Sequence, residues 1–218
     1  MRRILFGVLL GLFWIGAVRG GSVPEQLLID DFEQGLRPVW REQIFQGQTR
    51  YRVVAADGGK VLQADSRGTA SGLVFKQRYD LQQYPCLAWR WQVSNILTKG
   101  DARSRAGDDY AARVYVVFPH WFPSKTRSIN YIWANRLPRG EFLANPFYGN
   151  AVMLAVESGT EKVGSWVEEK RNVLADYRMI FGEEPPLAGA IAIMTDTDNT
   201  GESASAWYDD IRLESASP

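Results

Sequence analysis

Between Leu27 and Leu213 the chain is almost wholly a succession of short segments rich in Val, Ile, Tyr and Trp. Clusters of Gly, Pro, Asn or Asp close them off. Segments of this kind read as β-strands, because branched and aromatic side chains suit a pleated surface and the closing residues suit turns. The candidates are Leu27–Glu33, Tyr51–Ala55, Val61–Ala64, Gly72–Tyr79, Leu87–Ser94, Tyr110–Phe118, Ile129–Asn135, Ala151–Glu157, Ser165–Asn172, Ala190–Thr195 and Ala204–Leu213. Only Val173–Phe181 carries a helical pattern, and it is brief. Many strands with one short helix near 173–181 predict an all-β fold, a single-domain antiparallel β-sandwich of jelly-roll type, and argue against an α/β chain.

The first twenty residues are different. Arg2 and Arg3 precede an apolar run, Ile4–Val18, and small residues follow it. This is the pattern of a signal peptide with cleavage after Gly20, the run being short for a membrane span. The expected product is an exported domain, 21–218, periplasmic or secreted and not an integral membrane protein once the leader is removed; the competing reading is an uncleaved anchor. The leader holds three arginines and no acid, so the remaining chain has 22 basic and 25 acidic residues, a net charge of −3. That balance argues against nucleic acid as the partner. With one cysteine, Cys86, no internal disulfide can form. With one histidine, His120, a Cys/His zinc site or a Cys–His dyad is disfavoured.

Strand alternation places aromatic side chains in stripes. In LAWRWQV, Trp89 and Trp91 share a face; in SINYIWAN, Tyr131 and Trp133 share one, with Asn130 opposite; in YAARVYVVF, Arg113 lies opposite the apolar set. Two readings stand. The stripes are a sandwich core, or they are a concave face on which sugar rings stack, with Trp89, Trp91, Tyr131 and Trp133 as platforms and Arg113 and Asn130 as polar contacts. Two loops, Thr98–Gly107 and Pro138–Gly149, are long enough to carry function; the second holds Phe142, Phe147 and Tyr148.

Carboxylates fall in three groups. Asp109, Arg113, Glu157 and Glu169 are either an acid/base set for glycosidic chemistry or a structural ion-pair network. The stretch DTDNTG offers Asp196 and Asp198 at the spacing of the first two ligands of a calcium loop. Thr200 and Trp207 then break that pattern, and the flanks are strands, so it is either a β-hairpin tip or a calcium site of another kind. Asp209 and Asp210 lie within the last candidate strand.

Taken together, LAWRWQV, GDDYAARVYVVF, INYIWAN, VEEKRNVLADYRMIFG and IAIMTDTDNTGESASAWYDDIRL resemble an uncharacterised secreted bacterial family, domain of unknown function 3047, over nearly all of Leu27–Leu213. A weaker likeness, carried by LLIDDFEQG and YDDIRL, is to carbohydrate-binding jelly rolls. That likeness implies pairing of the first and last strands and a structural calcium between them, with Asp31 or Glu33 joining Asp209 or Asp210. The expectation is a non-catalytic binding protein for a glycan or related polar ligand. A polysaccharide lyase or hydrolase using the carboxylate/Arg group is the alternative, and a structural envelope protein is a third.

Overall fold

The computed structural model describes residues 24–215, which form two packed β-sheets. The leader expected over residues 1–20 lies outside the described residues. The strands in chain order are β1 (Gln26–Asp30), β2 (Trp40–Gln46), β3 (Arg50–Ala56), β4 (Gly59–Arg67), β5 (Ala70–Tyr79), β6 (Cys86–Val93), β7 (Arg113–Phe118), β8 (Arg127–Ala134), β9 (Phe142–Ala144), β10 (Ala151–Ser158), β11 (Val167–Asn172), β12 (Ala188–Asp196) and β13 (Ser203–Glu214). One helix, α1 (Val173–Phe181), follows β11 directly. One sheet has the order β11-β6-β13-β4-β3, with β1 also pairing β13; the other runs β2-β5-β12-β7-β8-β10-β9. No helix among the described residues is long and apolar enough to cross a membrane.

Two strands were not legible in the sequence. In β2, WREQIFQ, six of seven residues are exposed, because the strand is the outer edge of its sheet. Beyond the buried Trp40 neither face is covered, so no period of two is imposed. The other, β9, is three residues long and pairs only with β10. The sheets are also not wholly antiparallel. The 135–150 connection folds back as β9 before β10 begins, and β10 lies parallel to β8 (Leu154 opposite Tyr131). A parallel pair needs a long crossover of this kind.

The main core lies between the sheets. Strands β6 and β8 face each other, and their inner side chains meet there. The Trp89 and Tyr131 ring centroids are 5.4 Å apart, and those of Trp91 and Trp133 are 5.9 Å apart. A smaller cluster occupies the outer face of the seven-stranded sheet. There Tyr110, Ile132, Met153 and Leu137 are covered by the loops expected to be functional. Helix α1 is capped at its start by Asn172, whose side chain accepts from the Ala175 amide at 2.9 Å. It ends at Gly182, whose φ of +71° favours glycine.

Candidate functional site

The four aromatic residues expected to stack on a ligand are inside the molecule. Trp89, Trp91, Tyr131 and Trp133 are each 1% exposed or less. Their alternation is as expected, but the face they share is the one pressed against the opposite sheet. Of the two readings of these stripes, the core is the correct one. Two of them are tied internally, the Tyr131 hydroxyl donating to Asp176 at 2.9 Å and the Trp133 indole to the Gly159 carbonyl at 3.1 Å, while the buried indole nitrogens of Trp89 and Trp91 have no hydrogen-bond partner among the described residues.

Asn130 and Arg113 do point to the outer face of their sheet, yet both are buried under the loops. Asn130 donates to the Met153 sulfur at 3.1 Å, and the Arg113 guanidinium lies 4.5 Å above the Tyr110 ring. The six residues expected to bind a ligand therefore form no open surface.

The aspartates of DTDNTG acquire a partner that was not foreseen in this role. Asp109, Asp196 and Asp198 place one carboxylate oxygen each within 4.8 Å of one another. Asp196 ends β12 and Asp198 lies in the turn that follows, while Asp109 lies in the segment entering β7, the strand beside β12. Arg113 binds Asp196, donating from Nε to Oδ1 at 2.8 Å, and the Tyr110 amide donates to the same oxygen at 3.2 Å. The turn is pinned onto Asp109, which accepts from the Thr200 amide at 2.6 Å and from Asn199 Nδ2 at 3.2 Å. Burial raises the Asp198 carboxyl above its ordinary pKa, and the neighbouring Asp109 adds to the rise. The stretch is thus a hairpin tip and a cluster of acids at once. Its donors are oxygens, which suit a hard divalent cation. The signal that could have found Asp109 is adjacency: a carboxylate just before a strand meets the end of the antiparallel strand beside it.

The end-strand set does not assemble. Strands β1 and β13 pair as expected, with Leu27 opposite Leu213. But Arg90 sits opposite Asp209 on β6 and binds both Asp209 and Asp210. Asp31 accepts from the Glu33 amide, and Glu33 accepts from the Lys60 amide at 2.7 Å. A neighbouring arginine has taken the charge that calcium was expected to meet.

The four-residue acid/base group also divides. Asp109 and Arg113 belong to the cluster above. Glu157 and Glu169 lie at the edge of the sandwich formed by β10 and β11. Among the described residues no hydrogen bond or ion pair joins the two pairs. Glu157 is met by Lys162 at 2.6 Å and by Arg139 at 3.7 Å. Burial pushes the Glu169 carboxyl up to about 7, and the nearby Glu157 carboxylate acts in the same direction. Next to them Arg171 grips Asp176 with both nitrogens, at 3.1 and 2.6 Å.

An open site exists elsewhere. A cleft of about 490 Å3 lies at one end of the molecule, between the β7–β8 loop and the segment joining α1 to β12. Its walls include His120, Lys125, Arg127, Asn150, Glu183 and Glu184. The loop wall is built tightly. Pro119 packs so close to Gly189 that a Cβ there would lie 2.6 Å from its ring. The Tyr148 hydroxyl donates to the Thr126 carbonyl at 2.7 Å, and Asn150 Nδ2 to the Ser124 carbonyl at 2.9 Å. These contacts hold the loop while its tip stays bare: Trp121 is 90% exposed, and Phe122 beside it is exposed too. The short sequence PHWFPSK held this tip, but with no alternation it gave no face to assign.

The family described as "Protein of unknown function (DUF3047)" matches residues 38–212. The chain belongs to the DUF3047 family. No curated protein is similar to this DUF3047 chain. Among solved structures, the family 30 carbohydrate-binding module of a cellulosomal cellulase of Clostridium thermocellum is similar to it in fold, at 11% identity and a TM-score of 0.50, over 88% of this chain and 99% of that one. The CBM22-1 xylan-binding domain of Paenibacillus barcinonensis Xyn10C aligns at 12% identity and a TM-score of 0.41, over 87% and 93%. The K1 adhesin domain of Lys-gingipain from Porphyromonas gingivalis W83 aligns at 12% identity and a TM-score of 0.44, over 88% and 99%. The first of these likenesses shows the β-sandwich; a shared fold does not transfer a function.

Proposed function

We propose that this DUF3047 protein is an exported, non-catalytic binding protein for a glycan, and that the ligand docks in the cleft beside Trp121. The observation that carries the reading is the bare Trp121 on a braced loop whose flanking residues, His120 and Lys125, wall a polar cleft. Trp121 and the adjacent Phe122 are both exposed, and a patch of exposed aromatics marks a contact surface; an indole face suits the apolar side of a sugar ring. The cleft is large enough for a small ligand and carries the mixed polar lining that fixes orientation. The test is calorimetric titration of the purified protein with a panel of oligosaccharides, repeated with Trp121→Ala. Binding that is lost in the variant, with the melting temperature unchanged, supports the reading; binding that survives undiminished sinks it. Export is tested by fractionating cells that express the full chain.

We further assign a calcium ion to Asp109, Asp196 and Asp198 in this reading. Of these three acids only Asp196 is paired with a guanidinium, that of Arg113, and a divalent cation would offset the charge that remains. Its role is structural, tying the β12–β13 turn to the start of β7.

A catalytic reading keeps one supporting observation. Glu169 lies near the Glu157 carboxylate and is raised to about 7, chiefly by burial, which suits a carboxyl that holds a proton near neutral pH. Release of reducing ends from a polysaccharide, abolished by Glu169→Gln, would replace the binding reading with this one.

A further inference from the structure

The partners already taken inside the cleft define what a ligand would meet there. Glu184 receives two hydrogen bonds from Arg178, at 2.8 and 2.9 Å, and one from Gln82 at 3.3 Å. Glu183 is bound by Arg127, whose Nη1 also donates to the Tyr177 hydroxyl at 2.8 Å. Both acids of the cleft are therefore neutralised by arginines. The bases are not matched in the same way. Lys125 lies 5.5 Å over the Phe122 ring, and among the described residues its ammonium has no hydrogen bond and no carboxylate partner. His120 uses Nδ1 to accept the Phe122 amide at 2.9 Å. In the neutral ring that places the proton on Nε2, which is then a donor. Arg127 keeps Nε and Nη2 unengaged among the described residues. What remains for a ligand is a set of donors with an unopposed positive charge, on the same loop as Trp121.

We infer that the cleft selects an acidic glycan, a chain of carboxylate-bearing sugars, over a neutral one. This deepens the glycan-binding reading and rests on it. A sugar ring would lie on Trp121, with its carboxylate received by Lys125 and by Nε2 of His120. An ammonium meeting a carboxylate out of bulk water makes a charge-assisted hydrogen bond, roughly twice as strong as a neutral one. The concave, braced cleft favours a saccharide over a lipid surface, which would need a broader apolar face.

The experiment titrates the purified protein with oligogalacturonate and with a neutral β-glucan of equal length, at low and at physiological salt, and tests its sedimentation with phosphatidylglycerol vesicles. The expected result is tighter binding of the uronate, weakened by salt. Lys125→Gln should lower uronate affinity about tenfold and leave the melting temperature unchanged, since the side chain is exposed and unpaired. Trp121→Ala should abolish binding of either sugar. Neutral glucan bound as well as uronate through Trp121, or Lys125→Gln without effect, overturns the selectivity and leaves glycan binding standing. Binding to vesicles with no glycan bound overturns both.

Discussion

Trp89 and Tyr131 meet ring against ring across the gap between the two sheets, 5.4 Å from centroid to centroid, on strands that share no hydrogen bond. They join β6 to β8 and belong to the core, not to a binding face. Replacing Trp89 by Ala leaves a large cavity whose neighbours sit on two separate sheets and cannot easily close in. The expected loss is about 3–5 kcal/mol in urea unfolding. Glycan binding by the fraction still folded should be unchanged; a specific loss of binding without loss of stability would return Trp89 to the ligand site.

The calcium assignment predicts a change in melting temperature. At about a hundred times its dissociation constant a ligand adds roughly 2.7 kcal/mol, several degrees for a chain of this size. Melting in millimolar calcium should therefore exceed melting in EDTA, and Asp198→Asn should remove the difference. Equal melting temperatures in the two buffers would leave DTDNTG as a turn alone.

Arg113 and Asp196 are a buried pair, 6% and 2% exposed at their side chains. Removing one partner strands the other, so Arg113→Met should cost about 3–5 kcal/mol. Asp196→Asn in the same chain should recover part of that loss, because one of the crowded carboxylates is then neutral. A double-mutant cycle in chemical denaturation measures the coupling, and purely additive losses would show that the two side chains do not act together.

Glu169 predicts the direction of a pH effect. Its pKa rises from 4.5 to about 7 in the folded chain, so the folded state holds the proton more tightly than the unfolded one. The resulting stability is fully present below pH 4.5 and is lost as the pH rises through 7. With about 1.4 kcal/mol per pH unit, this residue alone should lose about 2 kcal/mol of stability between pH 5.5 and pH 8. Glu169→Gln should flatten that slope, as read from unfolding free energies at several pH values. An unchanged slope would place the titration on another group.

Much of the fold was legible because burial imposes a period. Strand β6 has one face in the core and its side chains alternate accordingly, while β10, buried on both faces, reads as a continuous apolar run. The helix was legible from its pattern, and Val173–Phe181 is where the structure has it. Strand β2 was not, since an edge with both faces wet has no pattern to show. The site was less legible for a related reason. Alternation says which side chains share a face but not whether that face meets solvent or another sheet, and the four inner aromatics turned on that difference. Trp121 could not be chosen from the sequence either, because its exposure depends on Pro119 seating against Gly189 and on Tyr148 reaching Thr126, contacts between segments far apart in the chain. Asp109, Asp196 and Asp198 illustrate the middle case: two were visible as a motif, and the third was visible only as a carboxylate with another proposed role.

The position of β13 has a consequence for how the chain is made. It is the last of the described strands, yet it lies inside its sheet and pairs with β1, β4 and β6. Without it, β4 retains only β3, β6 retains only β11, and β1 retains nothing. A chain emerging in order can form hairpins such as β3–β4 early, but that sheet has no middle until β13 arrives. Closure is thus a single late event that joins β13 to strands made earlier, β1 among them, and a chain cut short before Ser203 would leave three fragments of a sheet exposing the core aromatics of β6.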